Sequence, residues 1–387
     1  MRIFIIHNFY QHAGGEDSVF KQEVDELSQE HQVATFTCQN QKGITGIAQF
    51  LSYPFNIRMA RQVMHRIASF KPDVVHIHNL HYALGPWLIR KLAAQKIPVV
   101  MTLHNYRLLC PSATLFFRGQ LFTSSLQADF PWQAVRKRVL DNSLLKTAIT
   151  GFTYWWHRKL GTWHKVDQFI VLSDFAKQIF EESSFPVAAD YFTVRPNAVD
   201  VLAGKANRTQ DFLYIGRLSE EKGILPLLLA VAETDFRIKV FGTGPQQEQV
   251  EALAGKHSNI QYMGFHNAER LAQELATATA LVVPSLCYEG MPMSILEAFG
   301  NETAVLASNI GILAEMIVPL RTGLSFDPYN KEEIKAALLQ WSLMDTPSKV
   351  QIGKNCRAEY ENKYTVKQNM LKLLAIYQGV QLNKRNR

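Results

Sequence analysis

The sequence predicts an α/β protein of two successive doubly wound domains, each a parallel sheet covered by helices on both faces. Three observations predict it. Short β-branched runs alternate with longer segments of helical spacing, and they do so in two sets. The runs are near-continuously apolar, as in parallel strands buried on both faces. A polar, glycine-containing stretch, Ala203–Gln210, follows Arg195-Pro196-Asn197-Ala198-Val199-Asp200 and separates the sets.

The first set of expected strands is Arg2–His7, Val33–Cys38, Asp73–His78, Pro98–Leu103, Gln168–Ser173 and Phe192–Arg195. Helical patterns such as Ser18–Gln29 and Pro86–Gln95 lie between them. The second set is Phe212–Gly216, Arg237–Gly242, Asn259–Gly264, Ala280–Pro284, Ala304–Ser308 and Gly323–Phe326. Domains of about 150 residues allow two to three in a chain of 387. The expected division is 1–200, 201–365 and a closing helical segment, 366–387. No repeat with a period of 20–50 residues and no low-complexity tract is present.

Composition excludes several classes. With 47% apolar and 19% charged residues, each domain can bury a core, so disorder is not the main state. Forty-one Lys and Arg against 34 Asp and Glu leave a net charge of +7, which suits an anionic partner. Cys38, Cys110, Cys287 and Cys356 are scattered, with no CxxC. That spacing argues against a disulfide framework or zinc cluster and predicts a reducing, cytoplasmic setting. The start, MRIFIIHNFYQHAGGE, has only four apolar residues in a row before His7, too few for a signal-peptide core. No apolar run approaches the roughly 18 residues of a spanning helix.

Ligands of open α/β sheets lie beyond the carboxyl ends of the strands, so chemistry is sought there, in a cleft between two domains whose strand ends face each other. The strongest signal is Cys287-Tyr288-Glu289-Gly290-Met291-Pro292-Met293-Ser294-Ile295-Leu296-Glu297-Ala298. Gly290 and Pro292 make a tight loop, and a helix starts near Met293. Its first N–H groups favour phosphate or sugar oxygens. Glu289 and Glu297 sit at different heights along one extended ligand. The bland alternative is a capping Glu289 and a solvated Glu297.

The second signal is Tyr214-Ile215-Gly216-Arg217-Leu218-Ser219-Glu220-Glu221-Lys222-Gly223. Arg217 offers a planar fork and Lys222 a point charge, together suited to a departing diphosphate. Two surface cations at a strand end are the alternative. The third is His12-Ala13-Gly14-Gly15-Glu16, where two glycines admit close backbone approach, or form a plain turn. Val240-Phe241-Gly242-Thr243-Gly244-Pro245 is only superficially a dinucleotide fingerprint. Gln247 stands where its third glycine is expected.

His7, His76, His78, His81 and His104 fall at strand ends. They lie on different strands, with no carboxylate or cysteine at ligand spacing, so no metal is expected. His104 ends a buried strand and is the functional candidate. His76 and His78 read as core or loop histidines.

These stretches resemble the retaining glycosyltransferases of family 4, also called group 1, with the GT-B fold. The matching elements are Gly14-Gly15, His104-Asn105-Tyr106, Ser173-Asp174-Phe175, Pro196-Asn197-Ala198-Val199-Asp200, Gly216-Arg217-Leu218 with Glu221-Lys222-Gly223, and Glu289 through Glu297. Each is common alone. In this order, over nearly the whole chain, they are specific. His104-Asn105-Tyr106-Arg107-Leu108-Leu109-Cys110-Pro111 also resembles a bacterial surface-polysaccharide subgroup, without that subgroup's further cysteines.

The resemblance implies two Rossmann-like domains, with the N-terminal one binding the acceptor and the C-terminal one a UDP- or GDP-sugar. It implies that Arg217 and Lys222 hold the diphosphate, that Glu289 meets the donor sugar hydroxyls, and that Glu297 meets the ribose. His104 would contact the donor sugar, and Gly15 would approach the diphosphate and the acceptor. The base would lie near Phe265. Gly216, Gly290, Met291, Pro292, Met293 and Ser294 complete the implied donor site, and the helix around Val366–Gln378 would return to the N-terminal domain. It also implies retention at the anomeric carbon, by same-face displacement or a covalent intermediate. One departure is Ala198, where the family commonly has glycine. Were positive φ required there, Ala198 would cost about 1 kcal/mol.

No Asp-x-Asp motif is present to hold a divalent ion. Arg217, Lys222 and helix-start amides are therefore expected to neutralise the leaving group, with no metal or other cofactor. Pro131–Lys165 carries Arg136, Lys137, Arg138, Lys146, Arg158, Lys159 and Lys165 against Asp141 alone. It also holds Trp132, Trp155, Trp156 and Trp163, four of the six tryptophans. That composition suits an anionic membrane surface, or else a core face with solvated cations. No nucleic-acid module fits. The expected activity is sugar transfer to a saccharide or polyprenyl-diphosphate-linked acceptor in cell-surface polysaccharide synthesis, such as lipopolysaccharide or capsule. A nucleotide-sugar 2-epimerase, a phosphorylase and a non-catalytic nucleotide-sugar-binding protein are the alternatives.

Overall fold

The computed structural model describes residues 1–11, 14–202 and 208–385. His12 and Ala13 of the glycine loop, and 203–207 of the expected linker, lie outside them. The strands are β1 (Arg2–Phe9), β2 (Gln32–Gln39), β3 (Val74–Ile77), β4 (Val99–Leu103), β5 (Phe116–Phe117), β6 (Gln120–Leu121), β7 (Gln168–Val171), β8 (Phe192–Val194), β9 (Phe212–Ile215), β10 (Ile238–Phe241), β11 (Ile260–Gly264), β12 (Ala280–Val283), β13 (Val305–Ser308) and β14 (Gly323–Phe326).

Two six-stranded sheets result, with orders β2-β1-β3-β4-β7-β8 and β11-β10-β9-β12-β13-β14. Every pairing in them is parallel. All twelve strands expected from apolar runs are present, most of them trimmed or extended by a residue or two. The inner strands are covered on both faces: Val74, Val75 and Ile77 of β3 and Val99 and Val100 of β4 are fully buried, as is Leu281 of β12. Helices supply the cover. In Ile57–Phe70, Ala60, Val63 and Ile67 recur on one face and are buried, each large side chain contributing about 1.5–3 kcal/mol. Its start is fixed by Asn56, whose side chain accepts from the Met59 N–H at 3.1 Å.

The chain divides into two compact units. One comprises Met1–Ala113, Phe122–Asn197 and the chain from Lys367 on; the other comprises Thr114–Leu121 and Ala198–Val366. In the first unit the closing helix, Val366–Arg385, meets the sheet through Tyr377, whose hydroxyl is 2.8 Å from His76 Nδ1. Thr114–Leu121 departs from the expected 1–200 division. It is the antiparallel hairpin β5–β6, and its Phe116 is buried against Leu286 and Cys287 of the second unit. Arg118 and Gly119 form its turn with φ of 47° and 75°, the pattern of a tight two-residue hairpin. Strands of two residues carry no readable periodicity, so composition gave no sign of them. Ala198 is buried and is not among the positive-φ residues, so glycine's absence there strains nothing.

Gly223 holds the second unit's loops together. Its φ is +68°, and an added Cβ would lie 1.9 Å from the Pro284 carbonyl oxygen. Gly223→Ala should lose about 2 kcal/mol or more in urea denaturation. Gly255→Ala, with nothing within 4 Å of the new Cβ, should be neutral or gain up to about 1 kcal/mol in its helix. Equal midpoints for Gly223→Ala and the parent protein would contradict this loop crossing.

Candidate functional site

In the second sheet the chain runs outward from β9 through β10 to the edge strand β11, then crosses back to β12 beside β9. Strand order therefore reverses between β9 and β12, and such switch points open a crevice at the carboxyl ends. The segment after β9 carries Arg217 and Lys222, and the segment after β12 carries Glu289. Leu286 N–H donates to the Glu221 carbonyl at 2.9 Å, and Gly223 admits the Pro284 carbonyl, so the two loops lie side by side.

That crossing brings together side chains 67 residues apart. Lys222 Nζ donates to both carboxylate oxygens of Glu289 at 2.7 Å. Ser285 Oγ donates to Glu289 Oε1 at 2.5 Å. Burial alone would lower the Lys222 ammonium, but the Glu289 carboxylate outweighs it and the net shift is upward. Of an ammonium's three donors, those not held by Glu289 remain for an anion. The Glu289 loop is braced: Tyr329 O–H donates to the Leu286 carbonyl at 2.7 Å, and Cys287 is packed under Phe116. Burial pushes the Cys287 thiol well above its usual range, which makes it inert.

The other expected residues lie on the same sheet's loops. The Arg217 side chain is exposed and makes no ion pair among the described residues. Gly216 N–H donates to the Phe241 carbonyl at 3.1 Å, and Gly242, with φ +134°, admits the Gly216 carbonyl where a Cβ would clash at 1.9 Å. The Gly242-Thr243-Gly244 stretch thus serves close loop packing. Phe265, after β11, is 78% exposed. Gly290 is half-buried, Met291 is buried, and Pro292 caps the helix Met293–Gly300 without a side-chain bond. Pro292 makes no side-chain cap at that helix start, whose first N–H groups belong to Met293 and Ser294. Glu297 is half-buried on the same helix, and burial raises its carboxyl.

In the first unit strand order reverses between β1 and β3. Gly15 opens the helix Gly15–Glu30 behind β1, and Asn79 follows β3. Asn79 Nδ2 donates to Glu16 Oε1 at 2.9 Å and to the Asn8 carbonyl at 2.8 Å. His104, beyond β4, has Nε2 3.1 Å from His78 Nδ1. Burial, then His78, holds the His104 imidazole well below its usual range, hence neutral.

Here sequence reading missed a residue. Glu23, two turns into the first helix, is 1% exposed, with Oε2 3.2 Å from His78 Nε2 and 3.5 Å from His76 Nδ1. Its other oxygen accepts from Arg195 Nη1 at 2.6 Å. The expectation that no carboxylate stands near these histidines is thereby corrected. Glu23 with His76 and His78, and His7 with Glu16 and Asp17, have the spacing of ligand sets. Protein groups already engage most of those atoms. His76 nitrogens meet Thr102 and Tyr377 at 2.7 and 2.8 Å, and Asp17 accepts from His7 at 2.7 Å and from the Gly14 N–H at 3.0 Å. The signal for Glu23 was its period with buried Val19, Phe20 and Leu27.

Two parallel doubly wound sheets, each with polar side chains gathered at a switch point, define a two-unit α/β transferase architecture, the GT-B fold. The chain belongs to the glycosyltransferases of group 1, family 4-like: "Glycosyl transferases group 1" matches residues 203–359 and "Glycosyltransferase Family 4" residues 13–201. It is 27% identical over 302 residues to glycogen synthase of Mycobacterium tuberculosis, covering 73% of this chain and 63% of that protein. It is 24% identical over 319 residues to a sulfoquinovosyl transferase of Arabidopsis thaliana, covering 80% and 57%. The chain thus spans less than two thirds of these relatives' lengths. Similar solved structures are sucrose-phosphate synthase from Thermosynechococcus elongatus (TM-score 0.74, 19% identity, 98% of each chain) and Anabaena HepE in complex with UDP (0.70, 14%, 98% and 100%). A third is WaaG, a glycosyltransferase of lipopolysaccharide biosynthesis (0.61, 14%, 93% and 95%).

Burial first, then the neighbouring Asp17, pushes the Glu16 carboxyl up to about 8. The folded state therefore keeps a proton between its ordinary value of 4.5 and about 8 that the unfolded chain releases, and stability falls as pH rises through that window. Glu16→Gln keeps the acceptor for Asn79 and removes the titration. Its melting temperature should exceed the parent's at pH 8 and converge with it near pH 5; a constant offset at both would refute the shift.

Proposed function

We propose that the protein moves a sugar, with retention and without a bound metal, from a UDP- or GDP-sugar to a saccharide or polyprenyl-diphosphate-linked acceptor, in cell-surface polysaccharide synthesis at the cytoplasmic face of a membrane. The observation that carries this reading is the Lys222–Glu289 pair at the switch point of the second sheet. A nucleoside diphosphate leaves with growing negative charge. Lys222, pre-positioned by Glu289, offers a fixed ammonium to it, and exposed Arg217 offers a fork that is free to fold onto the same phosphates. The uncapped start of Met293–Gly300 adds N–H donors. Glu289 accepts from sugar hydroxyls, Glu297 from the ribose, and Phe265 stands by for the base. Within the first unit, Gly15 offers backbone to a phosphate and His104 an imidazole to a sugar hydroxyl. The UDP complex of HepE and the lipopolysaccharide role of WaaG support a nucleotide-sugar donor and a surface-polysaccharide product.

The test is product analysis with a panel of nucleotide-sugars, with and without acceptor and EDTA. Transfer should persist in EDTA. Lys222→Ala and Glu289→Ala should each lose about 10²–10³-fold in kcat. Circular dichroism accompanies the assay, because breaking a largely buried pair costs about 3–5 kcal/mol. Full activity in either variant sinks the site. Sugar isomerisation without acceptor favours the epimerase, and binding without turnover the non-catalytic reading.

The membrane part rests on a surface of the first unit. Arg136 and Arg138 are exposed and carry no ion pair among the described residues, close to Trp132, which is 63% exposed. Ile44, Ile47 and Leu51 form an exposed stripe on the helix Gly43–Ser52. The next turn, Tyr53–Phe55, touches the helix Leu144–Lys159 through His157 Nε2 and the Pro54 carbonyl at 2.7 Å. Trp163, by contrast, is core. Flotation with anionic liposomes should recover the protein, and Arg136→Glu with Arg138→Glu should release it. Recovery indifferent to both lipid charge and these changes refutes docking.

A further inference from the structure

We infer that Glu23 and His78 are positioning residues that fix the tautomer of His104, leaving its Nδ1 as a bare acceptor for a sugar hydroxyl; this rests on the reading of His104 as a sugar contact. The geometry is a buried chain of contacts. Arg195 Nη1 donates to Glu23 Oε1 at 2.6 Å, and Arg195 is itself held by the Asn369 carbonyl at 3.3 Å and the Asn369 side chain. Glu23 Oε2 faces His78 Nε2 at 3.2 Å, and His78 Nδ1 faces His104 Nε2 at 3.1 Å. Arg195, Glu23 and His78 are each no more than 3% exposed, while His104 is half-buried.

The proton positions follow from donor and acceptor capacity. Burial would raise the Glu23 carboxyl, but the Arg195 guanidinium beside it outweighs that, so Glu23 stays ionised. A carboxylate only accepts. Glu23 Oε2 and His78 Nε2 stand at ion-contact distance without an aligned hydrogen bond, and a bare Nε2 would set its lone pair against the carboxylate, so a neutral His78 carries its proton on Nε2 and its Nδ1 is bare. Two imidazole nitrogens 3.1 Å apart need one proton between them, which His104 supplies from Nε2. His104 then has no proton on Nδ1. The neighbouring His76 takes no part, since Thr102 and Tyr377 engage both its nitrogens, and His7 is held by Asp17. A cationic His78 would reverse the outcome: it would donate to both partners and leave His104 as an Nδ1–H donor. Arg195 already compensates the single Glu23 carboxylate.

Long-range proton–nitrogen NMR of the full chain labelled in its 12 histidine rings decides between them. The His104 signals are assigned by their loss in His104→Gln. A protonated Nε2 and bare Nδ1 are expected; a protonated Nδ1 overturns the inference. Glu23→Gln supplies an amide that can donate to His78, so it should flip both rings and raise the donor KM by roughly tenfold, the worth of one hydrogen bond, with kcat less affected. Unflipped rings in a folded Glu23→Gln protein also overturn it. The spectrum needs no turnover, so a failure to find sugar transfer tells against the function and leaves the tautomer to be judged alone.

Discussion

The second unit depends on one close approach, that of the β12 loop to the β9 loop at Gly223. With a side chain there, the Pro284 carbonyl could not come in, Leu286 would lose the Glu221 carbonyl, and Glu289 would be drawn off Lys222. The ion pair that results differs in kind from those on the surface. Glu233 is exposed and pairs with Lys331 and Lys335, a contact that solvent screens to about 0–1 kcal/mol. Glu289 is 8% exposed, so its desolvation cannot be recovered from water if Lys222 is removed. Local stability and the placement of the site's cation are the same interaction.

The first unit solves a different problem. Arg195, Glu23, His76 and His78 occupy space that apolar side chains could fill with no loss of stability, since desolvation offsets much of what such pairs gain. What an apolar core could not supply is direction. In the inferred arrangement the orientation of each member is set by the next, from Asn369 on the closing helix through Arg195 to His104 at the end of β4. Such networks are costly when half-satisfied and rigid when complete.

Much of this was legible in the sequence, for reasons that also mark its limits. The strands were legible because a parallel strand covered on both faces must be apolar throughout, and the Lys222 and Glu289 loops because such strands point their carboxyl ends at ligands. The hairpin Phe116–Leu121 was not, because two residues are too few to show a period. Glu23 was not, because GEDSVFKQEVDELSQE reads as a solvated charged helix. Its burial is decided by Arg195, 172 residues on, and by Asn369 beyond that. The tryptophans of Pro131–Lys165 divide in the same way: composition groups them, while packing sends Trp163 inward and leaves Trp132 outside.

That division alters the weight of charge in the membrane reading. Arg158 and Lys159 are tied to Asp129, whose carboxyl is pulled down to about 2 by Lys159 and Trp155, and Lys146 is tied to Asp141. Lys137 lies over the Phe122 ring. Cations already engaged gain little from lipid, so the seven contribute well under the sum of about 1 kcal/mol each. Ile44, Ile47 and Leu51 are exposed, and each could return about 1.5–3 kcal/mol on full burial. In that reading the apolar stripe of Gly43–Ser52 sets the affinity, and Arg136 and Arg138 set which leaflet charge the surface selects.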